Sequence, residues 1–561
     1  MNVEQRTSKA GRRTFKVEAR AQAGANRPAL YIALGLLVVL ALVVFVRIRL
    51  LHTPLERDEG EYAYAGQLLL EGIPPYQDLY SMKWPGTFAA YAGIMGLFGQ
   101  SIAAIHLGLL LTNLATAALL FFLARRIAGT VAGLVASVAF ALLAIIPASF
   151  GLAAHATHFV LLPALGGVLL LEHREEPRAR WRFVLAGILF GLAALMKQAG
   201  AAFGLFGVVW VGYEELSQPG RNSSRFAQRL GCLVAGGLLP LVLTAWWLAG
   251  AGVFHRFWEW TFVYSRAYVN ILTPMAGLHR LFSNGMNLVR AAPALWALAA
   301  VGLTLLWFDR SLRPWRFFIL SFLFFSFVAV CPGWYFRGHY FIVLFPAVAL
   351  LIAVSVRAGP DLMGTQRRLL GALPVLVFGL AALGLFYRSR AIFFRLTPTQ
   401  ISRDIYALNP FPEAIEIGRY LKSHCPPDAR VAVVGSEPEI YFYSHRRSAT
   451  GYVYTYPLME PQPYARAMQQ EMIHELQQAK PDYFVFVSQP SSWLPQPGSD
   501  VSVMEWFINY RQEHLDSVGL VDILPDGTTQ FSWSGTNNPR SDQWLQIYKS
   551  RPAPQPLQEA R

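Results

Sequence analysis

A chain of 561 residues could form about three or four soluble domains, but 54% of these residues are hydrophobic, only 15% are charged, and the mean hydropathy is +0.35. Soluble domains are about a quarter charged, and a core of this size could not hide so much apolar surface. The composition predicts a polytopic membrane protein and excludes a soluble enzyme, a secreted disulfide scaffold and a disordered chain. The net charge of +14 is typical of basic cytoplasmic loops, and no nucleic-acid-binding motif accompanies it.

The N-terminal region divides into a polar tail and a first apolar segment. Residues 1–28 are polar and basic, which predicts a disordered cytoplasmic tail. Residues 29–50 are almost uninterruptedly apolar and long enough to cross about 30 Å of hydrocarbon. Because this stretch is too long for the apolar part of a signal peptide and lacks an obvious cleavage site, we interpret it as an uncleaved first span.

Further apolar segments predict ten more spans, about eleven in all. These segments are residues 103–123, 131–147, 159–172, 183–197, 199–213, 230–250, 291–308, 315–332, 341–356 and 369–387. One additional segment, Gly86–Gly99, has 14 residues. That length fits an interfacial or re-entrant helix better than a span.

Loop charge determines the predicted orientation. If Gly86–Gly99 does not cross the membrane, five basic loops lie on the side of the basic N-terminus, as the positive-inside rule requires; if it crosses, all five are inverted. These loops contain Arg125–Arg126, Arg174–Arg182, Arg221–Arg229, Arg310–Arg316 and Arg357–Arg368. We therefore predict a multi-pass protein of the inner (plasma) membrane, with the N-terminus in the cytoplasm and the C-terminal domain outside it.

Three domains follow from this topology: the tail (1–28), a transmembrane domain (29–387) and a soluble domain (388–561). The transmembrane domain carries its first outer loop at residues 52–100. In the soluble domain, helix patterns alternate with short apolar runs such as Val431–Val434, which predicts a small extracytoplasmic α/β fold.

The first outer loop contains the residues with the clearest chemical potential. It is rich in acids and leads into Tyr62-Ala63-Tyr64, where apolar and aromatic residues follow a helical spacing, and then to Lys83 before Trp84-Pro85. A carboxylate and a lysine at the bilayer rim would form a polar site for a lipid-borne substrate. The alternative is an ordinary solvated loop.

These residues resemble the GT-C membrane glycosyltransferases, in the branch of protein O-mannosyltransferases and lipid A aminoarabinose transferases. The resemblance rests on five short matches: Asp58-Glu59 after the first span, Tyr62-Ala63, Lys83-Trp84-Pro85-Gly86, Met196-Lys197 at a span end, and Arg337-Gly338-His339-Tyr340 before Phe345-Pro346. It implies a GT-C-like helical membrane protein of about eleven spans. Its implied substrates are a polyprenyl-phosphate-linked sugar, bound among membrane lipids, and a glycan, lipid or protein acceptor.

The resemblance also implies roles for individual residues. Asp58 matches the catalytic base and Glu59 its supporting neighbour. Lys83 matches the lysine that binds the lipid phosphate. The other substrate-binding candidates are Tyr62, Asp78, Lys197, Arg337, His339 and Tyr340. A rim lysine such as Lys197 can instead be a snorkelling anchor, and Arg337 and His339 can be interfacial anchors.

Departures from the branch concern a metal. Glu61 stands where the aminoarabinose branch has Arg, and Met82 stands where that branch has a metal-binding Glu, for which Asp78 is a possible substitute. His155 and His158, three residues apart at an outer span end, could share a divalent metal ion. Polar capping of the helix end is the alternative, and no cofactor follows with certainty.

A second class of function, a transporter or flippase for a lipid-linked or anionic solute, stays open beside the glycosyltransferase. A transporter typically carries ionisable residues in the middle of several spans, or paired broken helices. Here the acids cluster in a loop at the outer rim, which favours the glycosyltransferase. A third hypothesis is a noncatalytic assembly partner, and it predicts that the loop acids can be replaced without loss of function.

Overall fold

The computed structural model describes residues 30–172, 179–217, 222–361, 373–533 and 538–552. The predicted tail at residues 1–28 lies outside these ranges, as do parts of the basic loops at 174–182, 221–229 and 357–368.

The membrane domain is a set of apolar helices that coincide with the predicted segments. Five helices in the described ranges are long and apolar enough to cross a membrane: Leu30–Arg49, Ile102–Ala128, Ser223–Gly250, Arg310–Val328 and Gly338–Arg357. The pair Pro274–Ala291 and Pro293–Phe308, bent by 105°, would make a sixth. The fold class is confirmed, while the number of eleven spans stays a prediction.

The remaining helices of this domain are shorter. They are Arg57–Leu70, Pro85–Phe98, Thr130–Leu143, Ala156–Glu172, Arg180–Met196, Ala201–Ser217, Phe254–Trp258, Ser265–Val269 and Leu373–Arg388, with Arg316–Val328 and Phe345–Asp361 as the α-helical parts of two of the spanning helices. Pro85–Phe98 is the predicted short helix, and its 14 residues begin with a proline whose missing N–H costs nothing at that position.

The loop helix, Arg57–Leu70, positions the acids of the first outer loop. Glu56 caps it: its side chain accepts from the Glu59 backbone N–H, while the Glu59 side chain accepts from the Glu56 N–H. Tyr62 packs on Tyr91 of the neighbouring short helix, with ring centroids 5.4 Å apart. On another face, Tyr64 packs on Tyr441 of the soluble domain at 5.1 Å. The helix therefore lies between two layers and not on an open membrane surface.

The soluble domain is built on one six-stranded mixed sheet. The strands are β1 Arg430–Val434, β2 Arg447–Ser448, β3 Tyr483–Ser488, β4 Leu515–Ile523, β5 Thr529–Ser532 and β6 Trp544–Ser550. Their order in the sheet is β2-β1-β3-β6-β4-β5. Strands β2, β1 and β3 are parallel, and β6, β4 and β5 continue the sheet in antiparallel pairs. This arrangement confirms the predicted α/β fold.

Helices surround this sheet and connect it to the last membrane helix. They are Arg390–Phe394, Pro398–Tyr406, Phe411–His424, Glu439–Ser444, Tyr456–Met459, Ala465–Ala479, Pro490–Trp493 and Ser502–His514.

Arg57 fixes the soluble domain to the loop helix. Its guanidinium lies 2.7 Å from Glu437 Oε1, donates to the Tyr456 hydroxyl at 2.7 Å and to Asn409 Oδ1 at 3.2 Å, and also donates to the Ser436 carbonyl. Arg57 and Glu437 are both buried. A buried pair of this kind is costly to break because the remaining charge loses its partner.

Glu439 lies beside this pair, and its environment predicts that the stability of the interface depends on pH. It is fully buried, and neither carboxylate oxygen has a hydrogen-bond partner among the described residues. Burial, reinforced by the neighbouring Glu437, raises its pKa well above the ordinary 4.5. The folded state therefore holds this proton more tightly than the unfolded state, so Glu439 destabilises the fold increasingly as pH rises above its unfolded-state pKa.

We expect Glu439→Gln to raise the melting temperature in detergent by about 2–4 °C, with a larger gain at pH 8 than at pH 6. Glu437→Gln is the matched control and should lower the melting temperature at both pH values, because it removes the partner of Arg57. A gain for Glu439→Gln that does not vary with pH would contradict the prediction.

Candidate active site

A cavity lies between the first outer loop, the ends of membrane helices and the soluble domain. Seven of the residues singled out in the sequence line it: Asp58, Tyr62, Lys83, Lys197, Arg337, His339 and Tyr340. Although they are far apart in sequence, the fold brings them to one space.

The turn around Lys83 is fixed by contacts with the neighbouring helix ends. The Tyr76 hydroxyl donates to the Lys83 carbonyl at 2.7 Å, and the Gln198 amide donates to the Met82 carbonyl at 2.8 Å. Gly86 packs directly on the Leu195 backbone: a β-carbon there would lie 2.5 Å from its carbonyl atoms. Only glycine permits this approach, which brings Lys83 beside Lys197.

Lys83 bridges two carboxylates, one of which was not expected to take part. Its Nζ lies 2.7 Å from Asp58 Oδ1 and 2.5 Å from Glu61 Oε2. Its ammonium also lies 4.6 Å from the centre of the Tyr62 ring. Glu61, which replaces the arginine of the aminoarabinose branch, thus faces the lysine.

The pKa shifts of this pair favour its charged form. Burial raises the pKa of Asp58, but the Lys83 ammonium outweighs burial and holds the pKa well below its ordinary value. Burial lowers the pKa of Lys83, but the carboxylates of Asp58 and Glu61 overcome this and raise it. Asp58 is therefore an ionised carboxylate near neutral pH.

Two stacked histidines lie on the other side of Asp58. The rings of His155 and His339 are 4.0 Å apart at an angle of 15°, and His155 Nδ1 lies 3.8 Å from Asp58 Oδ2. Neither ring nitrogen of His155 has a hydrogen-bond partner among the described residues. Burial lowers the pKa of His155 to about 4, which leaves the imidazole neutral.

These three side chains fit a divalent metal ion. One ligand atom from each of Asp58, His155 and His339 lies within 4.8 Å of the others. Two imidazoles and a carboxylate form a set that suits Zn²⁺ and related ions, and the unpartnered nitrogens of His155 are available as ligands.

His158 does not join this cluster, although the sequence suggested His155 and His158 as a pair. The helix begins at Ala156, so His155 precedes it, and the spacing of three residues does not place both rings on one helical face. His158 Nδ1 instead lies 3.1 Å from Asn113 Oδ1. His339, from a distant part of the chain, lies beside His155 where His158 was expected.

Glu59 and Asp78 lie outside the cavity wall. Glu59 Oε1 accepts from the Ala154 backbone N–H at 2.6 Å and lies 3.1 Å from His106 Nε2, so it connects the loop helix to two other segments. This geometry suits a supporting residue. Asp78 faces the soluble domain, with Oδ2 3.9 Å from Arg430.

Two cations of the wall remain without a carboxylate partner in the described part of the chain. The Lys197 ammonium lies 3.7 Å from the centre of the Tyr340 ring, and the Arg337 guanidinium lies 5.4 Å from that of Tyr335. Neither ring supplies a negative charge, so both side chains are open to an anion. Lys83, in contrast, already holds two carboxylates.

Sequence reasoning missed the aromatic wall and the contribution of the soluble domain. Trp260, Tyr264 and Tyr268 line the cavity, and their spacing of four residues was a signal for one helical face. Tyr454, Tyr456 and Glu460 line it from the soluble domain. Nothing in the sequence pattern indicated these three.

Comparison with known proteins supports the class suggested by the residues. Residues 83–248 match the family of dolichyl-phosphate-mannose-protein mannosyltransferases. The match begins at Lys83 and therefore does not include Asp58. No curated protein matches the sequence.

Among solved structures, ArnT from Cupriavidus metallidurans bound to undecaprenyl phosphate has a similar fold, with 17% identity and a TM-score of 0.54 over 92% of this chain and 98% of that one. AglB from Archaeoglobus fulgidus, in complex with an inhibitory peptide and a dolichol-phosphate, has 14% identity and a TM-score of 0.49 over 91% and 75%. The family match and the ArnT-like fold confirm the predicted resemblance to the GT-C superfamily of membrane glycosyltransferases.

The histidine geometry makes a prediction about metal binding. We expect the purified protein to bind Zn²⁺ or Mn²⁺ in calorimetry, and His155→Ala or His339→Ala to weaken binding by more than about 100-fold, because each removes a ligand. His158→Ala, which alters a nearby buried histidine outside the cluster, should leave the affinity unchanged. Equal losses in all three variants would contradict the assignment.

Proposed function

We propose that the protein is an integral-membrane glycosyltransferase that transfers a hexose or pentose from a polyprenyl-phosphate donor to an acceptor hydroxyl or phosphate. One observation carries the proposal: a partly buried carboxylate, Asp58, shares a single cavity with Lys83, Lys197 and Arg337. A base and three cations are the groups that this reaction needs. That ArnT was solved with undecaprenyl phosphate supports a lipid-phosphate donor.

The cations stabilise the donor phosphate, whose charge grows as the sugar leaves. Arg337 offers a planar pair of N–H donors that matches phosphate oxygens, and Lys197 offers a compact charge. Because neither has an ion-pair partner in the described part of the chain, both are open to the phosphate. Lys83, which is paired with Asp58 in the free site, turns to the same phosphate when the donor binds.

Asp58 accepts the proton of the acceptor. As long as Lys83 is bound to it, the carboxylate is a weak base. A phosphate that draws Lys83 away would raise its basicity when the donor is in place. The acceptor oxygen then forms the new bond to the anomeric carbon opposite the departing phosphate, the proton passes to Asp58, and polyprenyl phosphate leaves. This direct displacement inverts the anomeric centre.

A divalent ion bound by Asp58, His155 and His339 would add positive charge near the phosphate, and the steps above do not depend on it. The acceptor is a glycan, a lipid or a protein. A transporter or flippase is less consistent with the site, because the charged groups of the cavity lie beside a loop helix and a soluble domain. In addition, the family match is to transferases.

We expect Asp58→Asn to lower sugar transfer by at least about 10²–10⁴-fold, because the amide cannot accept the proton, with unchanged expression and melting temperature. The assay supplies polyprenyl-phosphate hexoses and pentoses with a cell-envelope glycolipid extract. Asp78→Asn is the matched control: it neutralises an acid of the same loop outside the cavity and should retain activity. Normal turnover by Asp58→Asn would remove Asp58 as the base.

We further propose that the first outer loop and the soluble domain lie on the outer face of the inner (plasma) membrane. A reporter that is active only outside the cytoplasm should be active when fused after Arg388 and inactive when inserted between residues 174 and 182. The reverse pattern would place the site in the cytosol, away from a donor presented on the outer face.

A further inference from the structure

We infer that Tyr454, from the soluble domain, is a positioning residue for Asp58, so that the catalytic site is complete only when the soluble domain is docked on the loop helix. The inference deepens the proposed function and rests on it. No sequence pattern distinguishes Tyr454, and this residue lies outside the family match at residues 83–248.

The geometry places two donors on the same oxygen of Asp58. The Tyr454 hydroxyl donates to Asp58 Oδ1 at 3.2 Å, and Lys83 Nζ lies 2.7 Å from the same atom. The Lys83 ammonium also lies 5.4 Å from the centre of the Tyr454 ring. Oδ1 is held by two donors, whereas Oδ2 faces His155, whose Nδ1 lies 3.8 Å away, and has no hydrogen-bond donor among the described residues. Oδ2 is therefore the oxygen that can accept a proton when no metal ion is bound to it.

The segment that carries Tyr454 is held firmly on both sides. The Tyr80 backbone N–H of the first outer loop donates to the Gly451 carbonyl at 2.7 Å, and the Thr455 N–H donates to Ser436 Oγ at 2.9 Å. Next to Tyr454, the Tyr456 ring packs edge-on at 4.8 Å, and its hydroxyl accepts from Arg57 at 2.7 Å. Arg57 precedes Asp58 directly, so the same contacts fix both ends of the Tyr454–Asp58 hydrogen bond.

Tyr454 gains importance during the reaction. When the donor phosphate draws Lys83 away, the Tyr454 hydroxyl is the donor that still holds Oδ1. A carboxylate without that donor can rotate about its terminal torsion, which has a broad energy profile. Oδ2 would then be oriented toward the acceptor for less of the time, and small losses of orientation strongly lower the rate of a displacement reaction.

The test compares Tyr454→Phe with Tyr64→Phe. Tyr64 lies in the same interface: its hydroxyl accepts from the Ser448 N–H at 2.8 Å and its ring packs on Tyr441, but it has no described contact with Asp58. Each variant removes one interface hydroxyl. The measurements are kcat and KM for transfer, affinity for undecaprenyl phosphate as a donor-site probe, and the melting temperature.

We expect Tyr454→Phe to lower kcat by about 10–100-fold, with KM for the donor and the affinity for undecaprenyl phosphate within about twofold of the wild-type values. Tyr64→Phe should lower the melting temperature at least as much and leave kcat near the wild-type value. Equal kcat values for the two variants, or a loss in Tyr454→Phe that follows the melting temperature, would overturn the inference. Absence of turnover in the wild-type protein would instead count against the proposed function.

Discussion

The ion pairs of Lys83 with Asp58 and Glu61 are the interaction on which the rest of the site depends. Charged groups removed from water are costly unless they are paired and hydrogen-bonded. The loop helix supplies both acids on successive turns, and the Gly86–Leu195 contact brings the lysine to them. The soluble domain then closes over the cluster and strengthens these attractions by excluding water.

This arrangement also explains the division of the cavity into two charged sides. Near the loop helix, the positive charge of Lys83 is compensated by two acids. Farther away, Lys197 and Arg337 rest against tyrosine rings, which stabilise a cation without neutralising it. The uncompensated charge therefore lies where an anion can reach it, and the compensated charge lies where a base is needed.

Much of the fold could be predicted from the sequence, because its signals are local. Apolar length alone located most of the apolar helices, including the short helix Pro85–Phe98, but it did not determine how many of them cross a membrane. Asp58 and Lys83 stood out by resemblance and by their place in one loop. The pairing of His155 with His339, however, depends on packing between segments 184 residues apart, and no local pattern reports such a contact.

Two further features of the site, the histidine pair and Tyr454, could not be obtained from local sequence patterns. The spacing of His155 and His158 suggests a shared helical face only if both belong to the helix, and the chain enters the helix between them. Tyr454 is an unremarkable tyrosine until the sheet domain folds back onto the first loop. Composition could locate that domain and suggest its fold class, but it carried no information about the face that docks.

Because Arg57 binds Glu437 of the soluble domain, the site is completed late in biosynthesis. The proposed base lies just after the apolar helix Leu30–Arg49, so a ribosome makes it long before its tyrosine partner, which follows the helix Leu373–Arg388. Until the soluble domain has folded, the arginine and the acids of the loop helix remain in contact with water. A partly translated chain would thus hold its carboxylate in an incomplete site until the soluble domain has folded.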